Sequence, residues 1–440
     1  MAMDIIIGVA LVLGVIILIH EWGHFIMARL FKVRVDVFSI GFGPRLFGWK
    51  KGHTDYRVSA LPLGGYVRMA GQDPSEVDSG KQAPTGASDE LMSKPRWQRA
   101  LIAFGGPGVN FIFPVILLAA FYALVGIPHS AILRQPVQVV AFSSNTTQPS
   151  PLRVGDRVIA LNDLQNPTWE SAFDYLDRVL PGSPLTLKVV GPDGKERTVQ
   201  TSFKDPGGVE PLFGFIPSGP VIDDVTPKTP AKRAGLKADD RVLEANGRPI
   251  TYWGQFVDVI HQSKGQPVSL KIERKGQTLP ITVTPAQGLS DAKDPAWQIG
   301  VTSKSELVYD RTSLGFATSY AFRRTGDFFV QTVGVVGKLF SGRASVKQLQ
   351  SVVGISQIAG DAVRKGPSQV VFLMAFISVN LGILNLLPIP ILDGGMIMML
   401  SIEGLLRRDL SLPVKERFVQ VGFVFLLLLF VYVMYNDVVG

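Results

Sequence analysis

The chain has 440 residues, 46% of them hydrophobic, with a formal net charge of +8 and a mean hydropathy of +0.25. That balance excludes an ordinary soluble domain, which is less apolar, and a chain made only of membrane spans, which is less polar. There are no cysteines, so any zinc site must use His and carboxylate. No aromatic-basic interleaving points to nucleic acid, and the positive charge is better read loop by loop against a bilayer.

An apolar run begins at Ile5 and ends in Leu18-Ile19-His20-Glu21-Trp22-Gly23-His24-Phe25. It predicts a first transmembrane helix over about residues 5–30. Met1–Asp4 contain no Lys or Arg, so this reads as a retained span, not a secretory leader. Within it, His20 and His24 stand four apart and share one helix face. Both imidazoles can reach one metal ion with Glu21 beside it, the zinc-plus-general-base pattern of metalloproteases. Ionisable groups are costly in a span and mark function there. Residues 29–99 hold twelve Lys/Arg against seven Asp/Glu. The positive-inside rule therefore puts that segment in the cytoplasm and the N-terminus outside. His20 lies about 24 Å along the helix from Asp4, at 1.5 Å per residue, and so toward the cytoplasmic side of a core about 30 Å thick.

Residues 33–70 read as four short strands, Val33–Ile40, Leu46–Trp49, Tyr56–Ala60 and Tyr66–Met69, separated by turn signals at Gly41-Phe42-Gly43-Pro44, Lys51-Gly52 and Gly64-Gly65. Residues 71–95 read as a polar loop. A second, uncharged span covers about 100–125. Near its start lies Gly105-Gly106-Pro107-Gly108-Val109-Asn110, whose small residues suit close helix approach and whose Asn110 suits a hydrogen bond across a helix interface.

Residues 128–303 turn polar and strand-rich, and they repeat. Leu152-Arg153-Val154-Gly155-Asp156-Arg157-Val158 in the first half answers Leu236-Lys237-Ala238-Asp239-Asp240-Arg241-Val242 in the second, and Trp169 answers Trp253 at the same spacing. Both copies resemble the core of PDZ domains. Phe213-Gly214-Phe215 and Ile299-Gly300-Val301 occupy comparable late positions, where a peptide can add as a strand. Residues 304–366 carry helical patterns of mixed polarity, Tyr320–Phe340 and Leu349–Val363, expected to lie partly in the membrane interface.

A third uncharged span over about 370–387 runs into Asn385-Leu386-Leu387-Pro388-Ile389-Pro390-Ile391-Leu392-Asp393-Gly394-Gly395. The two prolines should break the helix. A loop with Arg407, Arg408, Lys415 and Arg417 follows, then a fourth span over about 418–435. On these assignments the first and third spans run the same way, and Asn385 sits about 22 Å along the third, close to the depth of His20. Asp393 is the carboxylate near that end. His20, His24 and Asp393 would thus hold zinc and leave a fourth position for water.

HExxH in the first span, a Gly-rich start to the second, tandem PDZ-like repeats and NxxPxPxLDGG after the third together resemble bacterial site-2 proteases of the RseP type, over nearly the whole chain. The resemblance implies a polytopic α-helical membrane protein with four transmembrane helices, a membrane-associated β segment and two α+β PDZ-like domains. The expected division is 1–127, an N-terminal membrane half; 128–218 and 219–305, the PDZ-like domains; 306–366, interfacial helices; and 367–440, a C-terminal membrane half. It implies a Zn2+-dependent intramembrane endopeptidase of the inner membrane, with termini and PDZ-like domains in the periplasm. By motif, His20, His24 and Asp393 are ligands, and Glu21 is the catalytic base. Asn385, Pro388 and Pro390 shape the substrate site, and Leu63-Gly64-Gly65-Tyr66 matches the family's membrane-entering β segment. The implied substrates are single-span proteins trimmed first by a site-1-type protease, such as an anti-sigma factor, and leftover signal peptides. The first repeat departs in having Asn162-Asp163 where the second has Asn246-Gly247. Two rivals remain: a different membrane zincin with Glu90 or Glu403 as third ligand, and a PDZ scaffold with a degenerate protease core.

Overall fold

A computed structural model describes residues 2–72, 85–143, 150–180, 182–202, 212–288, 296–341 and 352–438. Residues 73–84 of the polar stretch at 71–95 and the first residues of the Leu349–Val363 pattern fall outside them. The chain divides into two compact units, residues 1–127 with 311–440, and residues 128–310.

Among the described residues, four helices of the first unit are long and apolar enough to cross a membrane: Met3–Leu30 (α1), Arg96–Leu124 (α2), Pro367–Asn385 (α5) and Pro413–Tyr435, the greater part of α7 (Leu412–Val438). Between α1 and α2 run two long strands, β1 (Val35–Lys51) and β2 (Thr54–Met69). The four short strands expected from the sequence are arms of these two. The first arm of β1 lies between both arms of β2, with Ile40 opposite Gly65 on one side and Val58 on the other, while Phe47–Lys51 pairs with Thr54–Val58. The glycines at 41, 43 and 64 sit at positive φ and mark bends and register shifts within continuous strands, not turns between separate ones.

α3 (Leu314–Phe340) and α4 (Val352–Lys365) precede α5. α3 does more than lie in an interface: Ala317, Ala321 and Phe328 are buried against Leu118 and Tyr122 of α2 and Ala375 and Val379 of α5. α4 packs on the start of α1, where a side chain on Gly8 would strike the Ala359 carbonyl at 2.5 Å.

After α5 the chain breaks, as the prolines require, but it then forms a helix the sequence reading missed: α6, Asp393–Leu406. At 14 residues α6 is too short to span. Its far end carries fully buried Glu403. The Oε1 of Glu403 accepts from Leu410 N at 3.0 Å and pairs with Lys415 Nζ at 3.1 Å. Beside it, a hydrogen bond from Arg96 holds the Asp409 carboxyl below its usual range.

The second unit contains two four-stranded sheets of matching order. In the first, Leu164–Gln165, Arg157–Leu161, Pro184–Val190 and Glu196–Ser202 lie side by side; in the second, Arg248–Pro249, Arg241–Ala245, Val268–Arg274 and Gln277–Val283 do so. A helix begins at Trp169 in one and Trp253 in the other. The repeated aspartates are structural. Asp240 is buried, accepts Lys237 N at 2.8 Å and takes two hydrogen bonds from Arg274 at 2.6 and 2.7 Å; Asp156 accepts Arg153 N and takes one hydrogen bond from Arg197. The Asp163/Gly247 difference leaves a two-residue turn in both copies, between Leu161 and Leu164 and between Ala245 and Arg248: Asn162 and Asn246 both have φ of 49°, and both side chains accept a backbone N–H, from Thr186 at 2.7 Å and Ser269 at 2.9 Å. The late strands differ between copies. Val301–Ser303 pairs with Ile222–Val225, whereas Phe213-Gly214-Phe215 forms no described strand; there Phe213 is buried against Trp169 and Phe215 N donates to Ala141 O at 2.9 Å.

Candidate active site

α1 carries His20, Glu21 and His24 toward a cavity of about 310 Å³, whose walls also include Val67 and Met69 of β2, Asn385, Asp393 and Phe418 of α7. The three side chains expected as ligands converge. His20 Nε2 lies 3.2 Å from His24 Nε2; Asp393 places Oδ2 3.3 Å from His20 Nε2 and Oδ1 3.3 Å from His24 Nε2. They form the one His/Asp/Glu group of this kind among the described residues.

The donors fit zinc. A tetrahedral ion with bonds of about 2.0–2.1 Å holds its ligand atoms about 3.3 Å apart, which matches the separation of the two imidazole nitrogens and the distance from each to its nearer Asp393 oxygen. With both Nε2 atoms unprotonated, two lone pairs and a carboxylate aimed at one point in a poorly solvated place repel one another unless a cation lies between them. The rival third ligands are elsewhere. Glu90 is engaged by Thr85 and Gly86, and Glu403 lies ten residues beyond Asp393 on α6, about 15 Å along the axis.

Close backbone approach makes this convergence possible. A Cβ on Gly23 would fall 2.2 Å from Gly105 O, and one on Gly106 would fall 2.4 Å from His24 Nε2. Without side chains there, α2 presses directly on the HExxH turn. His24 Nδ1 then reaches Ile102 O at 2.8 Å; as a donor to that carbonyl, the ring keeps Nε2 free for a metal. At the other end, a Cβ on Gly394 would meet Leu386 O at 2.3 Å and one on Gly395 would meet Ile389 O at 2.2 Å. The glycine pair therefore lets the first turn of α6 pack under the loop that leaves α5, which sets Asp393. The same loop holds Ile391 at φ 84°, a conformation costly for a β-branched residue and therefore imposed by its surroundings.

The substrate-site residues divide. Asn385 Nδ2 is 3.2 Å from His20 Nε2. A Cβ on Gly65 would be 3.6 Å from Glu21 Cγ, and one on Gly64 would touch Phe42 and Ile17. Pro390 instead supports α7, since a Cβ on Gly422 would lie 2.3 Å from its ring; neither it nor Pro388 contributes to the cavity wall. The wall residues Val67, Met69, Ile391, Leu392 and Phe418 carried no sequence signal, being ordinary apolar residues made special only by position.

The model of peptidase family M50 matches residues 8–429. The regulator of sigma-E protease RseP of Escherichia coli K12 is 31% identical, covering 97% of this chain and 96% of that one, and the same protease of Salmonella typhimurium matches to the same extent. A Vibrio cholerae protein whose name includes the words zinc metalloprotease is 30% identical over 97% of this chain. Among solved structures, the PDZ domain of an SdrC-like protein of Listeria monocytogenes covers 20% of this chain and 87% of that one at 22% identity, with a TM-score of 0.18. The family model spans nearly the whole chain and relatives at about 30% identity cover nearly all of it: this chain belongs to peptidase family M50 and is a zinc metalloprotease related to RseP.

Proposed function

We propose that the chain cleaves peptide bonds within transmembrane segments, with His20, His24 and Asp393 holding one Zn2+ and Glu21 as catalytic base. The observation that carries this reading is the convergence of His20 Nε2 and His24 Nε2, 3.2 Å apart, on the Asp393 carboxylate, which places one oxygen 3.3 Å from each, in a cavity that Glu21 also lines. Bound zinc supplies a Lewis acid that acidifies water and polarises a carbonyl. Glu21 takes the proton of the attacking water and returns it to the leaving amide nitrogen. Asn385, beside the metal position, donates Nδ2–H to the developing oxyanion. Chelator should abolish cleavage of a model single-span substrate by the detergent-purified protein, and zinc should restore it. Cleavage that survives complete metal removal refutes the scheme.

A substrate helix must unwind before its carbonyls can react, because they are hydrogen-bonded within the helix. The Gly65–Met69 arm of β2 supports a way to hold the unwound strand: it pairs with β1 on one side, has no described strand on the other, and passes beside Glu21 through Gly65. Gly64 and Gly65 keep side chains out of the approach, while Pro388 and Pro390 hold the loop open by denying it helical hydrogen bonds.

The substrates are single-span proteins already shortened outside by a site-1-type protease, an anti-sigma factor in the first place and leftover signal peptides in the second. The names of the sigma-E regulating relatives support that choice. The charge distribution supports cytoplasmic placement of the basic loops, with the termini and PDZ-like domains in the periplasm and the active site toward the cytoplasmic side. In this arrangement the PDZ-like tandem is a size filter. Deleting residues 128–303 should allow cleavage of an untrimmed substrate that the intact protein leaves whole; an untrimmed substrate that stays uncut in the deletion variant rules the filter out.

A further inference from the structure

The scheme above uses no side chain of α2, yet α2 is pressed against both histidines. Ile102, Gly106 and Asn110 are spaced by four and form one stripe of the helix. Each faces the HExxH pair. Ile102 O takes His24 Nδ1 at 2.8 Å; Gly106 leaves room for both rings, a Cβ there falling 2.4 Å from His24 Nε2 and 2.7 Å from His20 Nε2; and the Asn110 carboxamide nitrogen lies 3.2 Å from His20 Nδ1. Asn110 is wholly buried, and its backbone carbonyl accepts from Ser378 Oγ at 2.9 Å, which ties the position to α5. Its Oδ1 has no hydrogen-bond partner.

An imidazole that binds a cation through Nε2 carries its proton on Nδ1, and that N–H needs an acceptor. His24 has one in Ile102 O. His20 faces an amide nitrogen, an arrangement that suits the other tautomer, in which Nε2 has no lone pair to offer. A half-turn of the carboxamide about Cβ–Cγ exchanges its oxygen and nitrogen without changing its shape. One amide end is buried without a partner in either orientation, so that count does not choose between them. The metal does: with His20 Nδ1 protonated, only the oxygen-inward orientation turns a donor–donor contact into a hydrogen bond.

The geometry points to Asn110 as a positioning residue for the metal site, its Oδ1 accepting His20 Nδ1–H and so holding Nε2 toward the ion. Together with Ile102 O it lets one stripe of α2 set both imidazoles. This rests on the reading of His20 and His24 as zinc ligands.

The test is zinc affinity, measured on the detergent-purified full chain by competition with a chromophoric chelator. Asn110→Leu keeps the volume and removes the acceptor, Asn110→Ala removes it with a smaller side chain, and Asn110→Asp keeps an acceptor at Nδ1. The Leu and Ala variants should bind zinc about 10–100-fold more weakly, while the Asp variant recovers most of the loss. If the Leu variant does not fold, the Ala and Asp pair decides. Wild-type affinity in the variants without an acceptor overturns the proposal. So does equal weakening in all three, which would mark a packing role. A wild type that takes up no zinc would remove the ligand reading itself, and this inference with it.

Discussion

Glu21→Gln is expected to lower cleavage of a single-span substrate by about 10²–10⁴-fold, the usual contribution of a positioned general base, while bound zinc stays at about one ion per chain, as a site with its three protein ligands intact requires. The amide matches the carboxylate in shape and cannot take a proton from water. Glu21 is not among the converging ligand candidates; it follows His20 on the helix and lines the same cavity, so its substitution should leave the His20–His24–Asp393 contacts at 3.2–3.3 Å undisturbed. Metal content by elemental analysis and single-turnover cleavage on one preparation separate the two effects. Loss of zinc along with activity would make Glu21 a structural or ligating residue, and normal cleavage would remove it from the chemistry.

Asp393→Ala has the opposite signature. Zinc should fall from about one ion per chain to a small fraction, because two imidazoles without a third protein ligand do not make a structural or catalytic zinc site. Cleavage should fall to background with it. Asp393 places one carboxylate oxygen 3.3 Å from each histidine Nε2, and its place is set by the glycines that follow it. Glu403→Gln is the matched control: Glu403 lies on the same helix and is buried, yet sits about 15 Å away along the axis, so zinc should remain. Retention of zinc in Asp393→Ala would separate the two halves of the site, and loss of zinc in Glu403→Gln would restore a glutamate to the list of candidate ligands.

Much of this protein was legible because the signals are local or are forced by the bilayer. The i, i+4 spacing of His20 and His24 holds in any helix. Asp393, 369 positions after His24, was reachable because parallel spans of known rise bring their ends to one depth. The repeated Asp156 and Asp240 announced two copies of one fold because each must satisfy the same buried turn.

Features that depend on which surfaces meet could not be read this way. From the sequence α6 reads as a loop, because two prolines precede it and its 14 residues are too few to register as a span. The four short strands proved to be arms of two continuous ones, since whether a glycine ends a strand or bends it depends on the partner lane across the ladder. Asn110 read as a helix-packing residue, and its contact with His20 exists only because Gly23 and Gly105 let two helices touch backbone to backbone. By itself the sequence determined the apolar helices, the repeat and the pattern that points to zinc chemistry. The tertiary structure decided which buried polar atoms reach the histidines, because that is set by interhelical approach, which no spacing along one chain segment encodes.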